Sequence, residues 1–202
     1  MIRVSGLLLA LLLLSGGSSK AAAQHPRRSG FWAEVGAGGG NIHLGCSSCL
    51  EPTVTYGRGA YVRLGGGISR RVLWGIELFG LLDEEFVAGE GDTPVTIENA
   101  SLSPVVIWYP WSGGLFFKGG MGVTNTSVIT PGVDGSPPIV VSGTGSGLTF
   151  GVGLDIPVHK WFSVTTNFGV YYSAAGDVRL TGSIVDDVIT TVYQANFAIT
   201  LR

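Results

Sequence analysis

The chain has 202 residues, a length that suits one domain. Only 13% of its residues are charged, 33 are glycine, and the formal net charge is −2. Soluble domains usually carry about 25% charged residues, so this chain is poorly equipped to cover a water-exposed surface. The slightly acidic balance gives no support for nucleic-acid binding.

The N-terminus has the organisation of a secretory signal peptide. Arg3 precedes an apolar run from Leu7 to Leu14, and Ala21-Ala22-Ala23 supplies an A-x-A cleavage site. The apolar run is too short for a transmembrane helix, which needs about 20 residues. We therefore predict a signal peptide over residues 1–23, an N-terminal segment over 24–30 and one domain over 31–202.

Four strands are predicted in the first half of this domain, where apolar-patterned segments alternate with Gly-, Pro- and Ser-rich breaks. They cover residues 31–44, 56–68, 74–86 and 96–109. Pro104 lies inside the fourth strand and cannot donate a ladder hydrogen bond. It must therefore fall at a bulge or at a locally unpaired position.

Four more strands are predicted at 115–124, 148–156, 161–172 and 193–201. The clearest is 161–172, where Phe162, Val164 and Phe168 share one face. The opposite face carries Ser163, Thr165, Asn167, Gly169 and Tyr171. This period of two over a full strand indicates a sheet with one apolar face.

The connections between these strands alternate in length. The short ones are 69–71, 110–113 and 157–160, and the long ones are 45–55, 87–95, 130–142 and 176–188. Short periplasmic turns and long outer loops are typical of outer-membrane barrels. Both termini would then lie in the periplasm.

The two faces of the strands favour a membrane barrel over a soluble barrel or a sandwich. The less apolar face carries Gly, Ser, Thr and isolated charges, which suit a crowded lumen better than a solvent-exposed surface. Aromatic residues near the strand ends predict two interfacial girdles: Phe31, Trp32, Tyr56, Trp74, Trp108, Tyr109, Trp111, Trp161, Phe162, Tyr172 and Tyr193. We predict an all-β, eight-stranded antiparallel up-and-down transmembrane β-barrel over 31–202, in the bacterial outer membrane.

The stretch from Gly151 to Pro157, followed by Trp161 and an alternating strand, resembles the small outer-membrane barrels, the OmpA-like transmembrane domain and its OmpX relatives. The resemblance implies insertion by the barrel assembly machinery, which in that family reads a last strand that ends in an aromatic residue. Tyr193, Phe197 and Leu201 have the required spacing, and Arg202 departs from the pattern.

Five charged residues fall on the predicted lumen face, near the periplasmic ends of their strands: Glu34, Arg63, Glu77, Lys118 and Asp155. Buried charges must be paired or solvated. One interpretation is a plug of salt bridges in which Arg63 and Lys118 face the three carboxylates. The other is a small ion gate that opens when the pairs exchange, which the family resemblance makes reasonable.

Cys46 and Cys49 form a CxxC pair in an exported chain, where we expect a disulfide that staples the first outer loop. A redox dithiol and half of a zinc site are the alternatives, but only His43 lies nearby as a further ligand. We predict no metal and no cofactor.

An enzymatic site would have to use His43 with Ser47, Ser48 or Glu51, which lie in a predicted loop rather than on a strand. We therefore predict no catalytic residues. The expected function is a structural or surface-interaction role with a side-chain-filled lumen. A narrow pore or ion channel is the alternative, and a lipid-modifying enzyme is the least favoured.

Acidic residues predominate in the predicted outer loops: Glu51, Glu90, Asp92, Asp134, Asp177, Asp186 and Asp187. Carboxylates are the oxygen ligands that divalent cations prefer, so these loops suggest cation bridging to anionic lipopolysaccharide. The expected partners are outer-membrane lipid, lipopolysaccharide and, during biogenesis, the barrel assembly machinery. We expect a monomer.

Overall fold

A computed structural model describes residues 30–45, 53–86, 95–131, 138–180 and 183–202. They form eight strands: β1 (Phe31–Gly45), β2 (Thr53–Gly67), β3 (Val72–Phe86), β4 (Val95–Trp108), β5 (Leu115–Thr130), β6 (Ile139–His159), β7 (Phe162–Leu180) and β8 (Ser183–Leu201). Each strand pairs antiparallel with its sequence neighbour, and β8 pairs with β1 to close the barrel. The predicted fold class is confirmed. No described helix is long and apolar enough to cross a membrane.

The barrel has two different ends. The connections 68–71, 109–114 and 160–161 define the short-turn end, where β1 begins and β8 finishes. The connections 46–52, 87–94, 131–138 and 181–182 define the loop end. The predicted signal peptide and the Cys46–Cys49 pair lie outside the described residues.

Several strands are longer than the sequence analysis predicted. Residues 139–142, 176–180 and 183–188 belong to strands rather than to loops, and β6 continues through Pro157 to His159, which were predicted to form a turn. These segments contain β-branched residues that favour strand, such as Ile139, Val140 and Val141, next to the Gly, Pro and Asp residues that led to their assignment as loops. Pairing with a neighbouring strand continues the ladder through those breaks.

The period of two directs apolar side chains outward to the lipid and most polar side chains into the lumen. On β6, for example, Phe150 and Val152 are exposed on the outer face, while Thr149 and Asp155 are buried inside. Because closure leaves no free edge around the barrel wall, the backbone groups within the wall can pair with neighbouring strands. Such pairing is what allows strands to lie in a membrane.

Pro104 occupies a locally unpaired position rather than a bulge. It is the register partner of Ile76 on β3, whereas the β4–β5 ladder runs from Leu102↔Val123 to Val105↔Gly120 without a partner for Pro104. The register on both sides of this gap is the same. The proline therefore interrupts one ladder without shifting the strands.

Inward-facing glycines make room for large lumen side chains. A Cβ added at Gly36 would lie 2.5 Å from the ring of Tyr61, and one added at Gly38 would collide with the carbonyl oxygen of Ala195. The glycine-rich sequence of β1 thus allows the neighbouring strands to approach closely and their side chains to cross over its backbone.

The outward neighbour Gly39 provides a matched test, because a Cβ there would meet only the carbonyl oxygen of Gly57, at 3.6 Å. We expect Gly38→Ala to lower the free energy of unfolding by about 1–3 kcal/mol through overpacking. Gly39→Ala should be neutral or stabilise by about 0.5–1 kcal/mol. Urea unfolding of the refolded barrel in detergent micelles measures both. Equal effects would show that Gly38 does not face the lumen.

Candidate functional site

Three of the predicted lumen charges are direct register partners on neighbouring strands. Glu34 on β1 pairs with Arg63 on β2, and Arg63 pairs with Glu77 on β3. Lys118 reaches the same group from β5, on the other side of the lumen. We call Glu34, Arg63, Glu77 and Lys118 the charge quartet.

The charge quartet is a chain of alternating charges. Nη1 of Arg63 donates to Oε1 of Glu34 at 2.6 Å, and Nε of Arg63 donates to Glu77. Nζ of Lys118 donates to the two carboxylate oxygens of Glu77 at 2.8 and 2.7 Å. The side chains of Arg63 and Glu77 have no solvent exposure. Two cations and two carboxylates leave the quartet with no formal net charge.

Two tyrosines complete the surroundings of the quartet. The hydroxyl of Tyr61 donates to Oε1 of Glu34 at 2.7 Å, and the Arg63 guanidinium lies 4.0 Å from the Tyr61 ring centre. Nζ of Lys118 donates to the Tyr171 hydroxyl at 3.2 Å and lies 4.6 Å from that ring. Each cation therefore has a carboxylate and an aromatic face as partners, which compensates for its removal from water.

Asp155 does not face Arg63 or Lys118, so this part of the predicted arrangement is wrong. Its carboxylate forms an ion pair with Arg202 and accepts a hydrogen bond from Thr165 at 3.4 Å. Thr165 contacts Thr200 at 2.9 Å, and Thr200 donates to Glu34 at 2.8 Å. Two hydroxyl groups therefore separate Asp155 from the quartet, and their two protons can satisfy two of these three contacts at a time. Asp155 sits nearer the short-turn end.

Apolar side chains pack in two separate lumen clusters. The cluster toward the loop end contains Ile42, Tyr61, Phe79, Leu81, Ile97, Tyr171, Val192 and Ala198. The cluster toward the short-turn end contains Trp32, Leu73, Ile107, Tyr109 and Phe116. Phe79 stacks on Tyr171 with ring centres 3.8 Å apart. The quartet therefore lies between two water-poor regions, and the interior is occupied by side chains.

Two predicted girdle residues prove to be lumen residues. Trp32 and Tyr109 are buried in the cluster at the short-turn end, whereas Phe31 and Trp108, their sequence neighbours, are exposed on the outer face. The error arose from assigning aromatic residues by their position near strand ends. Alternation along each strand assigns the faces correctly.

Sequence reasoning also missed Arg202 and the two lumen tyrosines as partners of the charges. The signal was present in the period of two. Tyr61 lies two residues before Arg63, and Arg202 lies two residues after the inward-facing Thr200. Tyr171 lies on the same face of its strand as Ser163 and Thr165. The alternation of polar and apolar residues along 161–172 had already distinguished this face from the apolar one.

The alternative sites suggested around His43 are described only in part. Among them, no group of three or more His, Cys, Asp or Glu side chains is arranged to hold a metal ion. The ring of His43 packs edge-on against Tyr193, with centres 5.3 Å apart, on the outward face. Ser47, Ser48 and Glu51, its suggested partners, lie outside the described residues.

Several solved structures have a similar fold. Neisserial surface protein A is 14% identical, and the match covers 86% of this chain and 97% of that one with a TM-score of 0.55. The attachment invasion locus protein Ail of Yersinia pestis is 11% identical, with 86% and 99% covered and a TM-score of 0.54. A major outer membrane protein of Thermus thermophilus is 16% identical, with 86% and 98% covered and a TM-score of 0.50.

At these identities the solved structures show the fold alone. No curated protein matches the chain. The family model for the outer membrane protein beta-barrel domain, however, matches residues 9–198, which is nearly the whole sequence. The closed eight-stranded barrel and this match agree with the predicted resemblance, and the chain belongs to the outer membrane protein beta-barrel domain family.

Proposed function

We propose that this outer-membrane barrel has a closed lumen and serves as a rigid platform for contacts at its loop end, a structural or surface-interaction role without enzymatic activity. The observation that carries the proposal is the charge quartet held between two apolar clusters. An eight-stranded barrel has an interior just wide enough for side chains to fill. The proposal includes export by the predicted signal peptide and a loop end that faces outward.

An opening between β6 and β7 at the loop end supports a role in surface contacts. The β6–β7 ladder begins at Ser146↔Ala174, whereas β6 already pairs with β5 from Ile139. Among the described residues, 139–145 therefore have a strand on one side only. Val140 is 58% exposed in this segment. Open edges of this kind can accept an extended segment of another protein by backbone hydrogen bonding.

A narrow pore is the second candidate, and the sharing of Glu77 favours it. Glu77 binds both Arg63 and Lys118. One of these ion pairs could therefore break and rearrange the lumen while Glu77 keeps the other cation as a partner. Both polar atoms of the Gln194 side chain are buried without a partner among the described residues. Such groups are typical sites for internal water. The two apolar clusters oppose continuous hydration and make this the weaker candidate.

Planar-bilayer conductance of the refolded protein distinguishes the two candidates. A closed lumen predicts rare, small conductance steps or none, because water and ions must pass both apolar clusters. Arg63→Met should also show no steady current, because the two apolar clusters still close the lumen when this cation of the quartet is removed. A large, steady conductance of the unmodified protein would reject the closed platform in favour of a pore.

The stability of the quartet can be tested with Lys118→Met, compared with Arg70→Met in the exposed turn at the short-turn end. Breaking a buried ion pair costs about 3–5 kcal/mol, whereas exposed pairs contribute about 0–1 kcal/mol. Lys118→Met should therefore lower the temperature at which the folded band is lost in heat-modifiable electrophoresis much more than Arg70→Met. Water in the lumen would reduce this difference. Equal shifts would mean that Lys118 contributes nothing inside the barrel.

The open β6 edge has a closely matched pair of variants. Asn125 on β5 donates to Thr144 on β6 at 2.9 Å, so either substitution by lysine removes this hydrogen bond and adds the same charge. Asn125→Lys also removes the hydrogen bond that Ser127 donates to Asn125 at 3.0 Å, which makes it the more demanding control. Only Thr144 lies on the open edge, and edge lysines oppose strand addition. A fluorescent peptide with the sequence of residues 124–130 serves as the probe, because β6 already accepts that strand on its other side.

We expect this peptide to bind the unmodified barrel and the Asn125→Lys variant with similar affinity. It should bind Thr144→Lys about tenfold more weakly or worse, which corresponds to a loss of roughly 1.4 kcal/mol of binding free energy. Fluorescence anisotropy measures the affinities. If the peptide fails to bind, or if both variants weaken it equally, strand addition at this edge is rejected.

A further inference from the structure

A belt of small residues crosses the lipid-facing side of the barrel near its loop end. The register places two rows side by side on neighbouring strands. One row is Ala195, Gly39, Arg58, Leu82 and Glu98, and the next row toward the short-turn end is Phe197, Ala37, Ala60, Gly80 and Ala100. The following row is large again: Ile199, Val35, Val62, Leu78 and Leu102. The small side chains therefore leave a recess between larger ones.

Two adjacent depressions occupy this recess. The first, of about 460 Å³, lies over Gly39 and Ala195 and is bordered by Tyr56 and Tyr193. The second, of about 450 Å³, lies over Ala60, Gly80 and Ala100 and is bordered by Arg58 and Glu98. Arg58 lines the second depression and is the register partner of Gly39, which lines the first, so its strand position lies between the two.

Arg58 is an exposed cation on the lipid-facing side of the barrel, in a row that also carries the exposed carboxylate of Glu98. Among the described residues, no side chain forms a hydrogen bond or an ion pair with it. Leu82 separates it from Glu98 in the same row, which is a distance of roughly two strand spacings, or about 10 Å. An arginine on the lipid face is costly at mid-depth and costs little near the interface. Its depth therefore decides what it can bind.

The depth of Arg58 matches the outer boundary of the membrane. At about 3.4 Å per residue and a tilt of about 40°, Arg58 lies about 23 Å along the barrel axis from Gly67, the last residue of β2 at the short-turn end, close to the height of about 25 Å expected for the apolar band. Tyr56 and Asn41, in the next row toward the loop end, offer polar groups at the interface. The guanidinium thus lies at headgroup level, with the recess below it at the level of acyl chains.

We propose that Arg58 and the adjoining recess bind one lipid A molecule of the outer leaflet. The guanidinium pairs with a phosphate on the sugar headgroup, because arginine forms strong, two-pronged hydrogen bonds with phosphate. Acyl chains lie in the recess over Ala60, Gly80 and Ala100. Two neighbouring depressions suit a lipid with several acyl chains. The negative charge of Glu98 repels the phosphate and so favours its placement on the Tyr56 side of Arg58.

The chain offers matched controls for each half of this site. Arg58→Gln removes the cation, and Arg70→Gln makes the same change in the turn at the other end of the barrel. Gly80→Leu fills the recess, and Gly119→Leu adds the same side chain to the outward face of β5. A Cβ at either glycine would meet no atom within 4 Å, so neither substitution should disturb folding.

The measurement is native mass spectrometry of the full barrel, released in detergent from phosphatidylcholine vesicles containing lipid A. We expect one lipid A per unmodified barrel. Arg58→Gln should bind lipid A about tenfold more weakly or worse, because it loses a charge-assisted hydrogen bond. Gly80→Leu should also bind lipid A more weakly, because its side chain fills the recess. Arg70→Gln and Gly119→Leu should bind like the unmodified protein.

Three results would overturn the proposal. The first is equal lipid A binding by Arg58→Gln and Arg70→Gln, or none by the unmodified barrel. The second is equally effective displacement of lipid A by phosphatidylglycerol, which would mean that any anionic lipid suffices. The third is chemical cross-linking between copies that Gly80→Leu abolishes, which would make the recess a contact between barrels.

Discussion

Closure of the sheet between β1 and β8 is the constraint on which the rest of the structure depends. Eight strands enclose a space only wide enough for side chains. Every inward position therefore has to be matched in volume and polarity by residues from other strands. The glycines of β1, the tyrosines beside the cations and the pairing of Asp155 with Arg202 are all consequences of this limited space.

The period of two made the fold and the inward charges predictable from the sequence. Glu34, Arg63, Glu77 and Lys118 lie on strands whose polar and apolar residues alternate clearly, so each could be assigned to the lumen face without knowledge of the strand pairing. The partner of Asp155 could not be assigned in this way. Which residues meet across the lumen depends on strand tilt and stagger, and these are properties of the closed barrel rather than of any single strand.

Strand ends were harder to predict because short β-branched runs there lie next to Gly- and Pro-rich breaks. Residues 139–145 begin with Ile-Val-Val, which favours strand, but prolines precede this run and glycines follow it; pairing with β5 carries the strand through the break. The aromatic residues Trp32 and Tyr109 were assigned to the wrong face for a different reason: their position near a strand end was used in place of the alternation. Trp32 is next to the exposed Phe31 along the chain, yet alternation places it inside the barrel.

The energetics of the quartet favour a platform over a pore. Separating a buried ion pair costs about 3–5 kcal/mol, so a state with one pair broken would have a population on the order of 10⁻² to 10⁻⁴. Exchange of Glu77 between Arg63 and Lys118 avoids part of this cost, but the apolar clusters on either side must still separate before water can pass. The interactions that close the lumen also join β1, β2, β3 and β5 through side chains. A closed, cross-linked wall holds the β6 edge and the Arg58 recess in fixed positions, which favours binding because little ordering is left to occur when a partner arrives.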